Sequence, residues 1–459
     1  MDNIFFHIDV NSAYLSWTSV ENLKTGAGID LREIPAIIGG DSTKRHGIVL
    51  AKSIPAKKYH IQTAEPIGSA LKKCPSLVIA PPDHAMYHRY SQALMAHLSS
   101  FCPDLEQVSI DECYMDYTPI ASHYASPVAA ATLIKDSVCE TFGFTVNIGI
   151  SDRKVLAKMA SDFRKPNLVH TLFCSELAGK LWPLPISRLF LCGRSSTETL
   201  KKLGIVTIGD LAAADPAIVT AHLKSHGQTL WNYANGIDNS EVVTQEAEAK
   251  GIGNSTTLSA DVTDEAAARR VLLSLAESVA ARLREAQKRA LCVTVEIKYA
   301  SFLSVSHQTM LDTPTDSTNF IYETACRLFR ELWNGEPIRL LGIRTAKLGA
   351  ADDPVQLSLS DLAMDTGSPL RARGHLDPAS APTQAHPSAR TNASTALAQA
   401  DEPLSGARAE KYQKLDKALD SIRSRYGNAS VVRGSLYQPQ QHRTSSEQKK
   451  NCDHNSFFA

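Results

Sequence analysis

Two short acidic segments constrain this chain more than any other feature: His7-Ile8-Asp9-Val10-Asn11 near the start, and Ser109-Ile110-Asp111-Glu112-Cys113 about a hundred residues later. Taken singly, each acid reads as a solvated loop residue. Taken together, they call for a fold that sets the end of a buried strand, Ile4–Ile8, beside the start of another. Three carboxylates gathered in this way can hold a pair of divalent ions for phosphoryl or nucleotidyl transfer. Neighbours on a regular strand point to opposite faces, so Asp111 and Glu112 share a site only near a turn. The sequence predicts a hairpin of Val108–Ile110 and Cys113–Tyr117, with both acids in its bend.

At 459 residues the chain exceeds one ordinary core and predicts three or four domains of about 100–150 residues each. Apolar content of 43% and charged content of 21% suit a globular protein. No stretch approaches the ~20 apolar residues that span a bilayer, and the first residues lack the basic region and cleavage site of a secretory signal. Nine cysteines, with no Cys-x-x-Cys pair, predict reduced thiols and a cytoplasmic location rather than a disulfide framework or a zinc site. The 48 basic and 48 acidic residues cancel, and residues 250–350 carry only 13 against 11. A nucleic-acid-binding face would have to come from local placement of charge.

Along the chain, residues 12–23 read as a helix, 34–80 as short strands around a helix at Ile67–Lys73, and Tyr87–Phe101 as a helix. Helix 127–142, strand Thr145–Ile150 and helix Lys154–Phe163 complete an α+β unit. From 171 to 245 the texture becomes short helices. Leu184–Leu191, the tight Cys192-Gly193-Arg194 and Ser195–Leu203 read either as a helix-hairpin-helix, whose amides bind a phosphate, or as two packed helices. Residues 250–350 alternate as βαββαβ, with Val271, Leu275, Val279 and Leu283 along one helix face. Residues 363–407, rich in Ala, Ser, Thr, Pro and Gly, read as a disordered linker. A short helix at 411–426 follows, with Leu415, Leu419 and Ile422 on one face.

Four motifs in register make the chain resemble the Y-family (translesion) DNA polymerases of the bacterial DNA polymerase IV type, from residue 4 to about 350. They are His7-Ile8-Asp9-Val10-Asn11-Ser12-Ala13-Tyr14; Ser109-Ile110-Asp111-Glu112-Cys113-Tyr114-Met115-Asp116; Gly149-Ile150-Ser151 with Lys154, Ala157-Lys158 and Lys165-Pro166-Asn167; and Leu203-Gly204-Ile205 with Thr207-Ile208-Gly209-Asp210-Leu211. The resemblance implies a multi-domain α+β right hand: palm at 1–11 and 81–170, fingers at 12–80, helical thumb at 171–245, little finger at 250–350 and a tail at 351–459. It further implies that Asp9 and Asp111 bridge two Mg²⁺ ions, that the Val10 carbonyl helps hold the nucleotide-side ion, and that Glu112 holds the primer-side ion. Tyr14 would be the steric gate against a ribose 2′-hydroxyl, Lys57 and Lys165 ligands of the nucleotide triphosphate, and Gly193 and Arg194 contacts of the DNA phosphates. The partners implied are primer-template DNA and dNTPs, for a monomeric, error-prone polymerase that bypasses lesions.

Two segments depart from the family pattern. Most members carry Tyr and Arg where this chain has Ile54 and Lys57, and glycine where it has His60. Loss of the tyrosine hydroxyl removes a phosphate hydrogen bond worth about 0.5–1.5 kcal/mol, and Lys57 keeps charge without bidentate geometry, so a raised KM for nucleotide is expected. Gln356-Leu357-Ser358-Leu359-Ser360 resembles the family's sliding-clamp peptide, but Ser360 stands where an aromatic anchor usually carries much of the affinity. Weak docking is expected. A non-catalytic DNA-binding accessory of the same fold is the alternative reading, but such relatives lose the palm acids that this chain keeps. A nucleotide cyclase, hinted at by Gly39-Gly40-Asp41, would leave the segments after residue 171 unexplained.

Overall fold

The structure, a computed structural model, describes residues 3–26, 28–40, 47–245, 248–351, 406–427 and 430–436. The chain divides into two compact units, Met1–Ala247 and Glu248–Ala459. In the first, β1 (Phe5–Val10) leads into α1 (Ala13–Lys24), then β2 (Ala36–Gly39), β3 (Val49–Lys52), the short α2 (Ile54–Lys57), α3 (Ile67–Lys73) and β4 (Val78–Ala80). After α4 (His84–Ser99) come β5 (Leu105–Gln107), β6 (Glu112–Asp116), α5 (Pro127–Phe142), β7 (Val146–Ser151), α6 (Lys154–Ser161) and β8 (Val169–Thr171). The unit closes with α7 (Leu177–Lys180), α8 (Arg194–Lys202), α9 (Ile208–Ala213) and α10 (Pro216–Ala234), the last interrupted at Lys224.

The principal sheet runs β5-β6-β1-β7-β8. Alternation along β1 decides what lies where. Phe6, Ile8 and Val10 enter the core with Leu94 and Leu98 of α4 and Ile134 and Val138 of α5. Fully burying side chains of this size stabilises the sheet by roughly 1.5–3 kcal/mol each. His7 and Asp9 therefore project from the opposite face, the one covered by α6, where the His7 Nδ1 lies 2.8 Å from the Ser161 hydroxyl. A smaller sheet, β3-β2-β4, carries α2 and α3.

Local signals set several boundaries. Helix α5 starts where Ser126 accepts a hydrogen bond from the Ala129 amide and Pro127 opens the first turn, and it ends at Gly143 with φ 76°. Two expectations fail. The strand opposite β6 is Leu105–Gln107, and residues 108–111 form the turn itself, their amides at Val108 and Ser109 both donating to the Glu112 carbonyl. Leu184–Leu191 is not a helix: Pro185 is extended and only Ile186–Arg188 make a 3-10 turn, because prolines at 183 and 185 remove backbone donors.

The second unit shows the expected βαββαβ order: β9 (Gly251–Val262), α11 (Glu265–Glu285), β10 (Lys288–Tyr299), β11 (Ser304–Thr315), α12 (Thr318–Leu332) and β12 (Ile338–Ala350). Its antiparallel sheet, ordered β11-β10-β12-β9, is covered on one face by Leu275, Val279 and Leu283 of α11 and Ile321 and Phe329 of α12. A further helix, α13 (Gly406–Tyr426), packs on this helical layer and is longer than expected, so residues 406 and 407 of the anticipated linker are helical. The rest of that linker and the peptide Gln356, Leu357 and Leu359 lie outside the described residues. Among those described, no helix is long and apolar enough to cross a membrane.

Candidate active site

The acids meet because of strand register. Asp9 of β1 lies directly across from Glu112 of β6, and the Val10 amide donates to the Asp111 carbonyl at 3.0 Å. Asp111 occupies the turn and Glu112 the first strand position, so consecutive acids escape the alternation that would otherwise separate them. Asp111 Oδ1 accepts from the Ser109 hydroxyl at 2.7 Å. Burial raises the Asp111 pKa, and the neighbouring charges of Asp9 and Glu112 add to the shift.

Two lysines not given a joint role in the sequence reading complete the centre. Lys158 on α6 places Nζ 2.5 Å from Glu112 Oε2 and 3.6 Å from Asp9 Oδ2, bridging the pair. Lys165, in the turn after α6, lies 2.9 Å from Asp9 Oδ1 and 2.8 Å from Asp162 Oδ1. Burial works to lower the Lys165 pKa, but Asp9 and Asp162 outweigh it and the net shift is upward. His7 and Lys158 together hold the Glu112 carboxyl down at about 2. Burial lowers the pKa of His7, however, and a neutral ring draws nothing by charge. The Ser161 hydroxyl donates to the Lys158 carbonyl and so accepts from His7 Nδ1–H, leaving Nε2 3.4 Å from Glu112 with no formed hydrogen bond. Lys158 is therefore the group that keeps Glu112 ionised.

Helix α6 reaches the acids because Gly149 of β7 lets it lie directly on the sheet. A Cβ there would stand 2.0 Å from the Ala157 carbonyl oxygen. Buried Asn147 fixes the following turn through bonds from Nδ2 to the carbonyls of Ser161, at 3.1 Å, and Arg164, at 2.6 Å. Two lysines four residues apart in a helix otherwise almost wholly buried were the available signal: each needs an acid, and they find Glu106 and Glu112.

Beside the acids, Tyr14, Lys52, Lys57 and Asp111 line one cavity of about 410 Å³. The Tyr14 ring stacks on Tyr87 at 4.3 Å and 6°, which fixes its plane. Burial, then the charge of Asp111, raises the pKa of the Tyr14 hydroxyl. Ile54, at the start of α2, is half exposed, and His60 adopts φ 56°, the left-handed region that favours glycine. Gly193 and Arg194 begin α8, away from these groups in sequence. The Gly193 amide is already donated to the Leu191 carbonyl, and the Arg194 guanidinium pairs with Glu198 at 2.9 Å.

Among the described residues, no three carboxylate, imidazole or thiol groups already converge on one point, the Lys158 ammonium standing between Asp9 and Glu112. The donor set nonetheless fits a divalent ion: three hard oxygen ligands at adjoining strand ends, two of them already holding a cation.

Comparison with known proteins bears on this arrangement. The impB/mucB/samB family matches residues 8–162, and that family's C-terminal domain matches residues 249–359. A protein named DNA polymerase IV from Clostridium acetobutylicum is 41% identical over 441 residues, covering 96% of this chain and 100% of the relative. The chain belongs to the Y-family DNA polymerases, of the DNA polymerase IV type. Among the further relatives of this Y-family polymerase, DNA polymerase IV 1 of Bacillus subtilis is 35% identical, covering 81% of this chain and 92% of that one. A solved Y-family DNA polymerase chimera of Dbh and Dpo4 shares the fold, with a TM-score of 0.65 at 20% identity, covering 75% of this chain and 99% of the other. The family and fold class expected from the motifs hold.

Proposed function

We propose that Asp9, Asp111 and Glu112 are the catalytic centre of this translesion DNA polymerase, joining a dNTP to a primer 3′-hydroxyl under direction of a template. The observation that carries the assignment is the β1–β6 register, which sets Asp9 against Glu112 with Asp111 one residue before. The family uses divalent metal. In this reading Asp9 and Asp111 would hold the Mg²⁺ ions, two being expected, with the Val10 carbonyl assisting towards the nucleotide and Glu112 towards the primer. Bound there, the metal supplies acidification of the primer hydroxyl and neutralisation of the leaving pyrophosphate.

The chain's own residues prepare that chemistry. Lys158 and Lys165 balance the acids beforehand and then swing off the carboxylates, with Lys165 and Lys57 taking up the triphosphate as movable point charges. Tyr14, held flat by Tyr87, blocks a 2′-hydroxyl. Residues 1–11 and 81–170 would serve as palm, 12–80 as fingers, 171–245 as thumb with phosphate contacts near Gly193 and Arg194, and 250–350 as little finger along the duplex backbone. Docking of Gln356, Leu357 and Leu359 on a sliding clamp, a monomeric state and a cytoplasmic location complete the reading. Retention of all three acids favours the enzyme over a non-catalytic accessory. Primer extension with Mg²⁺, comparing wild type with Asp111→Ala, is the test. Wild type should extend and the variant should not; an equally active variant removes Asp111 from the mechanism.

A further inference from the structure

Helix α13 is docked by the face that amphipathic helices usually leave in water. Asp416, 1% exposed, accepts from the Thr318 amide at 2.9 Å and so caps α12, whose own Ser317 side chain makes no capping bond. Arg284 pairs with Asp416 at 3.5 Å and grips Asp420 with two nitrogens, at 2.5 and 3.0 Å. Glu277 of α11 takes Arg423 at 3.2 Å and Arg433, beyond the helix, at 2.7 Å. These buried charges are mutually paired, so the contact is specific in rotation: turning the helix about its axis would strand several of them unpartnered, at high cost.

The consequence lies along the flank that adjoins the docked face, where Leu419 is itself half-buried. Leu415, Leu419, Ile422 and Tyr426 recur at intervals of four, three and four, the spacing of a helix-to-helix seam. Leu415 is 44% exposed, Ile422 38% and Tyr426 67%. Along 411–426 the acids Asp416 and Asp420 are spent on docking, and the exposed charges flanking the seam are Lys411 and Arg425, Lys417 lying on the opposite side of the helix. The geometry points to α13 as a presented docking helix, whose occupant is an amphipathic helix of a partner protein with acidic residues beside its apolar seam. A second copy of α13 would set basic flank against basic flank. A membrane surface calls for a wide apolar face, whereas this stripe is one seam broad.

The probe for the test is a fluorescein-labelled peptide of four heptads, with Leu at a and d and Glu at e and g, titrated against the full chain by anisotropy. Saturable binding is expected, weakened about tenfold or more by Leu415→Asp with Ile422→Asp, and similarly when the peptide's Glu residues are replaced by Lys. Both substitutions fall on exposed positions, so the circular dichroism spectrum and primer extension should be unchanged. The proposal is overturned by no binding, by equal binding of the two peptides or the two proteins, or by binding to anionic phosphatidylserine vesicles in place of the peptide. It is also overturned by seam-dependent dimerisation, or by binding that emerges only after removal of residues 437–459.

Discussion

Replacing Gly149 by alanine tests how the lysines are brought to the acids. The added methyl would stand 2.0 Å from the Ala157 carbonyl oxygen and 2.4 Å from the Ser161 amide nitrogen, both backbone atoms of α6. No side chain can turn aside to relieve this. Restoring even a tight 3.0 Å contact moves the helix off the sheet by about 1 Å. Overpacking of this kind costs about 1–3 kcal/mol. The upper end is expected here, because the two buried bonds from Asn147 lengthen with the helix and are worth about 0.5–1.5 kcal/mol each. The same shift carries Lys158 and the turn bearing Lys165 away from Asp9 and Glu112. A misplacement of about 1 Å at the chemistry costs roughly a hundredfold in rate. Urea denaturation measures the first effect and single-nucleotide incorporation at saturating dNTP the second. If Gly149→Ala retains stability within about 0.5 kcal/mol and incorporates at the wild-type rate, the packing argument is wrong.

Three further outcomes are expected. Ile54→Tyr should lower the KM for dNTP, a hydrogen bond of about 0.5–1.5 kcal/mol corresponding to roughly 2- to 13-fold, in steady-state kinetics; an unchanged KM refutes the phosphate-contact reading. Tyr14→Ala should admit ribonucleotides, measured as the ratio of rNTP to dNTP incorporation, and no gain removes the steric gate. Glu112 has its pKa lowered from 4.5, so its ionised form stabilises the fold fully above pH 4.5 and that contribution is lost as pH falls below it. Acid unfolding of Glu112→Gln, followed by circular dichroism, should lack this component across that window; superimposable profiles would contradict it.

How much was legible depended on whether local chemistry and tertiary need agreed. The βαββαβ order was readable because half-buried strands alternate and Val279 and Leu283 recur at helical spacing. Helix α5 carried its own start and stop in Ser126, Pro127 and Gly143. The segment 184–191 misled because its leucines suggested a helix while two prolines forbade one. The acids were found through their motifs, but the bridging role of Lys158 was not, since it depends on a glycine in a different element. The rotation of α13 was equally hidden: Leu415 and Ile422 mark its apolar face, yet two of the three binding partners of Asp416 lie 98 and 132 residues away in the chain.

The rung that pairs Asp9 with Glu112 has a consequence for exchange of parts. Between α1 and the turn at Asp111 only α4 and β5 return to the principal sheet; the part through β4 is an excursion with a small sheet of its own, inserted between the strands that bear Asp9 and Glu112. Substitutions out on the excursion, as at Ile54, Lys57 and His60, alter what the cavity grips without moving the strands that carry Asp9 and Glu112. A graft of residues 12–80 from a relative, supplying its own Tyr14 equivalent, should transplant nucleotide handling while leaving the acidic centre where it stands.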